Sequence, residues 1–106
     1  TLGQKAGVSP DAIYRAIRGG LAGSTVMDAK APMMMDRNFK PGFKIDLHIK
    51  DLNNVLDTAK SLDSPTFMSS MVMEMMKSLH ASGDGQSDHS AVAKFYEKVA
   101  GCEICR

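Results

Sequence analysis

Apolar residues recur along this chain at the spacing of one helical face in four stretches. The clearest is Ile45, Ile49, Leu52, Leu56 and Ala59, at i, i+4, i+7, i+11 and i+14, with Leu47 and Val55 widening the stripe. Asp46, Lys50, Asn53 and Asp57 lie three or four apart on the polar side. A shorter stripe is Ile13, Ala16 and Ile17, and a further helix is expected through Val26, Met27, Ala29, Lys30 and Ala31. A Met-rich one follows, Met68, Met71, Val72, Met75, Met76 and Leu79, and a last one holds Ala91, Val92, Phe95, Tyr96 and Val99. No run alternates with period two between turn signals, so the expected fold class is all-α, a helical bundle with short connections.

Local punctuation fits that division. Ser9-Pro10-Asp11 opens a helix, with Ser9 able to cap free amides, Pro10 suited to the first helical position and Asp11 complementing the dipole. Gly19-Gly20 closes it, Leu21-Ala22-Gly23 is a loop, and Ser24 or Thr25 caps the next helix, where Pro32 predicts a kink or break. Pro41-Gly42 is a strong turn signal ahead of a long helix from about Phe43 to Leu62. Asp63-Ser64-Pro65 turns the chain into the Met-rich helix, which runs to about His80. Gly83 to Ser87 is a loop, Ser87 or Asp88 caps the final helix, and Gly101 stops it. Leu2 to Gly7 reads like the tail of an earlier helix, and the chain starts at Thr1 without a methionine. The expectation is a single helical domain, 1–106, excised from something larger.

Length and charge narrow the classes. At 106 residues there is room for one domain that buries roughly two thirds of its unfolded surface. The net charge of +1 and the absence of a Lys/Arg run argue against a nucleic-acid partner. No apolar stretch approaches the ~20 residues a bilayer needs, and no signal peptide is visible, so a cytoplasmic protein without membrane contact is expected. Cys102 and Cys105 form a Cys-Glu-Ile-Cys tail after a helix, not before one, which favours an inert pair in a reducing compartment over a redox motif.

Each conspicuous feature has a plain structural reading beside a functional one. Methionines more often fill irregular core gaps or an interface than build a promiscuous groove. His48, His80 and His89 share no ligand spacing, so no metal site is expected. Gly19-Gly20-Leu21-Ala22-Gly23 could cradle a phosphate, yet it follows a helix and lacks the dinucleotide or P-loop pattern. Lys50 beside Asp51, with Asp46 one turn earlier, reads as an ordinary exposed charged face. No Ser/His/Asp or Cys/His set can be assembled.

Four runs taken together carry more. They are Gly19 to Ser24, Asp28-Ala29-Lys30-Ala31-Pro32-Met33, Asp36-Arg37-Asn38-Phe39-Lys40-Pro41-Gly42-Phe43, and Ile45-Asp46-Leu47-His48-Ile49-Lys50-Asp51-Leu52. With Asp88-His89-Ser90-Ala91 and Tyr96-Glu97, they resemble the C-terminal helical domain of the β-hydroxyacid (3-hydroxyisobutyrate) dehydrogenases over nearly the whole chain. The Lys-Asp-Leu core is shared across that family. The longer run from Asp36 to Leu52 is similar to the branch that reduces tartronate semialdehyde to glycerate.

The resemblance implies an N-terminal Rossmann domain, absent here, and an active site in the cleft between it and the helical domain. It implies hydride transfer between NAD or NADP and a small hydroxy or semialdehyde acid. Methylmalonate semialdehyde, succinic semialdehyde and glyoxylate are the substrates of neighbouring branches. The family's acid/base lysine belongs to a Gly-x-x-Gly-x-x-x-Lys-x-x-x-Asn motif that this chain lacks. Lys5 does not match it, so the segment alone is expected to be inactive. Lys50 resembles the family's cofactor-contacting lysine, and Phe43 and Asp51 resemble the aromatic and the acid that line the cleft near the substrate. The Gly19 to Ser24 loop is placed at the cleft rim. Homo-oligomers form through this domain in the family. The competing reading is a non-catalytic helical dimerisation module built on the Met-rich helix.

Overall fold

The computed structural model describes residues 1–106. Six α-helices follow one another: α1 (Leu2–Lys5), α2 (Pro10–Arg18), α3 (Thr25–Met35), α4 (Ile45–Ser61), α5 (Phe67–Leu79) and α6 (Val92–Ala100). A turn at His80–Asp84, kinked at Gly83 (φ 92°), and a 3-10 turn, His89–Ala91, lie between α5 and α6. The only extended pairing is an isolated antiparallel bridge between Lys44 and Asp88, so the all-α expectation holds. No helix is long and apolar enough to cross a membrane. The chain forms two compact units, one of residues 1–39 with 93–106 and one of residues 40–92.

The second unit is an α4–α5 hairpin. Ile45, Leu52 and Ala59 are buried on α4, and Met73, Met76 and Leu79 on α5. The α4 stripe read from the sequence is therefore the core face, but Leu47 and Val55 do not widen it and stay exposed. On α5 the buried face is rotated from the expected one. Met73 is 2% exposed, whereas Met68 is 70% and Met71 53%. With apolar residues nearly all round α5, periodicity alone cannot pick the face, and packing against α4 decides it.

In α4 the first amides are capped by tertiary structure. Ile45 N donates to Ser87 O and Asp46 N to Gly85 O, both at 3.0 Å, so the 85–87 turn satisfies donors that a helix leaves open. A Cβ at Gly85 would lie 2.5 Å from Asp46 Oδ1, so a larger residue there would have to displace the Asp46 carboxylate. The C-terminus of α4 closes with Ser64 N bonded to Ala59 O (3.0 Å) and Asp63 at φ 52°. This is a Schellman end with aspartate where glycine is usual.

The first unit holds α1, α2, α3, most of α6 and the C-terminal tail. Pro10 occupies the start of α2 as expected, but the Ser9 side chain makes no cap bond. Ser24 does cap α3, its Oγ accepting from Met27 N at 3.1 Å. Pro32 does not break α3, which runs on to Met35. Pro32 cannot donate to the Asp28 carbonyl, yet α3 continues for a further turn, closed by Asp36 N on Pro32 O at 2.9 Å. Then α3 stops as α4 does, with Asn38 N on Met33 O at 2.9 Å and Arg37 at φ 54°. Gly101, at φ 61°, stops α6. The expected α6 face is partly corrected: Tyr96 and Val99 are exposed, and the charged Glu97 is buried.

What fixes Glu97 is Arg37. The guanidinium grips the carboxylate through two bonds of 2.8 and 3.3 Å and also donates to Ile104 O at 3.2 Å. Ile104 N returns a bond of 2.7 Å to the same carboxylate, which pins the tail. Arg106 forks onto Asp36 with two bonds of 2.6 Å and reaches Asp11 at 3.2 Å. Arg18 and Tyr14 converge on Asp28. Lys5 donates to Ala100 O at 2.7 Å.

Candidate functional site

The sequence points to Phe43, Lys50 and Asp51, all in the second unit. Helical geometry puts residues 47, 50, 51 and 54 on one face of α4, about 200° around from the buried face at 45, 49, 52, 56 and 59. Lys50 and Asp51 are exposed and pair with each other, Nζ to Oδ1 at 3.2 Å. Asp46 does not pair with Lys50. It accepts from His80 Nδ1 at 2.6 Å and from Gln86 Nε2 at 3.0 Å, and Gln86 in turn accepts from Lys44 Nζ at 2.7 Å. Lys50 is therefore displayed from a rigid helix at a point where a ligand phosphate or carboxylate could replace a weak surface partner.

Phe43 is held differently. Asp88, fully buried, accepts from Gly42 N at 2.9 Å and from Phe43 N at 3.1 Å through Oδ2, and from Ser90 N at 2.9 Å through Oδ1. The Phe43 carbonyl accepts from His89 N at 2.8 Å. One carboxylate thus ties the Pro41–Phe43 turn to the 88–90 turn through charge-assisted bonds to backbone amides. The Phe43 ring packs against two imidazoles, His48 at 5.9 Å and His89 at 5.5 Å between centroids. Those imidazoles meet each other, Nδ1 to Nδ1, at 3.1 Å.

The sequence reading missed this group. His48 and His89 lie 41 residues apart, and only the closure of the α4 N-terminus onto the 85–90 turn brings them together. The neighbouring Asp88 looked like a helix cap, and it does cap the 3-10 turn, but its second oxygen does the long-range work. No group of three His, Cys, Asp or Glu side chains is arranged to hold a metal ion. The Gly19 to Ser24 loop closes on itself. Gly20 N bonds Ile17 O, Gly23 N bonds Gly20 O, and a Cβ at Gly23 would collide with Arg18 O. Its glycines serve a tight turn, with two of the amides already spent. Both cysteines are free thiols.

The comparisons with known proteins follow the same run of residues. The family described as NAD-binding of NADP-dependent 3-hydroxyisobutyrate dehydrogenase matches residues 1–96. This chain belongs to the β-hydroxyacid dehydrogenase family. It is 38% identical over 100 residues to 2-hydroxy-3-oxopropionate reductase of Escherichia coli strain K12, covering 94% of this chain and 34% of that protein. It is 33% identical over 98 residues to L-threonate dehydrogenase of Cupriavidus necator, covering 92% of this chain and 33% of that one. A crystal structure of 3-hydroxyisobutyrate dehydrogenase from Salmonella typhimurium superposes with a TM-score of 0.83 at 31% identity, over 88% of this chain and 33% of that chain. The chain spans about a third of the length of the curated relatives it matches. The helical fold agrees with that of the solved relative over the matched region.

Proposed function

We propose that this chain is the C-terminal helical domain of an NAD(P)-dependent reductase of small semialdehyde acids, with tartronate semialdehyde as the substrate and glycerate as the product. The observation that carries this reading is the 38% identity to 2-hydroxy-3-oxopropionate reductase across 94% of the chain. A Rossmann domain supplied by the rest of a longer protein would bind most of the dinucleotide, and the acid/base lysine would come from outside this segment. When bound, the nicotinamide supplies the hydride that reduces the aldehyde carbon.

Within this chain three residues face that chemistry. Lys50 contacts the cofactor as a compact cation that suits its phosphates and carboxamide end. Phe43, clamped through Asp88, presents an apolar wall that excludes water beside the reacting carbon. Asp51 orients a substrate hydroxyl or the acid/base lysine by hydrogen bonding. The exposed apolar residues of α5, Phe67, Met68 and Met71, suit a contact with a second copy, making the enzyme a homo-oligomer. Neither NAD nor NADP is favoured by the residues present, because the ribose-reading position lies in the dinucleotide-binding domain.

The test uses the longer protein that carries this segment. NADH and NADPH oxidation is followed with tartronate semialdehyde, methylmalonate semialdehyde, succinic semialdehyde and glyoxylate. Preference for tartronate semialdehyde supports the reading. Preference for another aldehyde keeps the family and replaces the substrate. A folded protein that turns over none of them points to the non-catalytic module.

A further inference from the structure

We propose that the His48–His89 pair is a proton-sensitive latch that positions Phe43. The role of Phe43 as a substrate wall rests on the function proposed above. The latch itself rests only on the geometry of the second unit. Two Nδ1 atoms 3.1 Å apart are within hydrogen-bond distance, and such a bond needs one nitrogen to donate and the other to accept. At least one imidazole must therefore be neutral. When both are protonated, two N–H groups and two positive charges face each other and the bond is lost.

Phe43 feels this on both sides. Its ring touches both imidazoles, at 5.9 and 5.5 Å, and its carbonyl accepts from the backbone N–H of His89. His48 stands on α4 and His89 on the turn before α6, so the pair joins the two segments that bracket Phe43.

Charged groups near the pair engage other partners, and Asp57 and Lys60 lie two or more turns further along α4. Asp88 binds the amides of Gly42, Phe43 and Ser90. Asp46 binds His80 and Gln86, and Lys44 binds Gln86. Lys50 pairs with Asp51, and Asp84 accepts from Ser87 Oγ. The latch stays closed while at least one imidazole is neutral and opens on the acid side, when the pair takes up its second proton.

The experiment is a pH titration of the protein labelled with 15N at histidine and at backbone amides, followed by NMR. Binding of the second proton to the pair should shift the Phe43 and His89 amides in step with the His48 and His89 ring nitrogens. His48→Asn keeps a neutral donor and acceptor near the Nδ1 position. It should hold the Phe43 amide at its neutral-pH position and abolish its response to pH, whereas His48→Leu should displace it at every pH. His80→Asn should leave the response intact. Ring nitrogens that titrate while the Phe43 amide stays still would overturn the proposal, as would a response that disappears only in His80→Asn.

In the longer enzyme, KM for the semialdehyde should rise by up to roughly tenfold per pH unit on the acid side, with kcat changing less, and His48→Asn should flatten that rise. A latch seen by NMR in a protein that turns over no semialdehyde would sink the proposed function and leave the latch standing. Turnover with a Phe43 amide indifferent to the pair would do the reverse.

Discussion

The two compact units of this chain are stabilised by different means. Residues 40–92 are ordered by burial: Ile45, Leu52, Ala59, Met73, Met76 and Leu79 pack one hairpin, and the one fully buried charge, Asp88, is answered by three backbone amides. Residues 1–39 with 93–106 bury few side chains, chiefly Met35, Ala93 and Glu97, and are laced by arginines: Arg37 to Glu97, Arg106 to Asp36 and Asp11, Arg18 to Asp28. Most of those arginine pairs are exposed, so each is worth little and weakens with salt. The contrast explains where a site can be held. A side chain must be fixed to within a fraction of an ångström to line a site, and the hairpin with its buried carboxylate offers that rigidity. All three residues proposed for the cleft, Phe43, Lys50 and Asp51, lie in this unit.

Breaking the hairpin core should have the largest effect. Ile45→Ala leaves a cavity at a fully buried position and should cost about 3–4 kcal/mol in a denaturant melt. Asp88→Ala strands the Gly42, Phe43 and Ser90 amides and should cost about 3 kcal/mol. Chemical shifts should change around Phe43 and His89 more than along α5. If Asp88→Ala were neutral, the clamp described here would be wrong.

On the other unit the effects should be smaller and depend on conditions. Burial pushes the Glu97 carboxyl up, but the hydrogen bond from Arg37, the Ile104 amide and the charges of Arg37 and Lys94 outweigh it and hold it below its ordinary value. A depressed carboxyl contributes stability that is intact above its unfolded value, about pH 4.3, and lost as pH falls through the folded one. Acid should therefore release the 102–106 tail first, seen as loss of amide protection at Ile104. Glu97→Gln should cost about 1–2 kcal/mol at neutral pH and remove that acid step. The smallest effect is a gain. Asp63→Gly at φ 52° should stabilise the α4 end by about 0.5–1 kcal/mol, because glycine enters the left-handed region without strain.

Much of this was legible in the residues. The α4 stripe from Ile45 to Ala59 emerged because its periodicity is strong and its opposite face is charged. The α5 face did not, because methionines at 68, 71, 73, 75 and 76 surround the helix and only the partner helix selects among them. The Schellman ends at Arg37 and Asp63 were hidden by the lack of glycine. The candidate site residues Phe43, Lys50 and Asp51 came from the family resemblance alone. The His48–His89 contact and the reach of Asp88 to Phe43 had no local signal, since they arise from closure of residues more than 40 apart.

The role proposed for Lys50 is to contact a nicotinamide cofactor, not to hold the fold. In the longer enzyme, cofactor Kd and Tm are measured for Lys50→Ala beside the parent. Losing one charge-assisted contact should weaken Kd by roughly tenfold, while Tm stays unchanged because the Lys50–Asp51 pair is exposed. An unchanged Kd with a lowered Tm would contradict the account and return Lys50 to the surface.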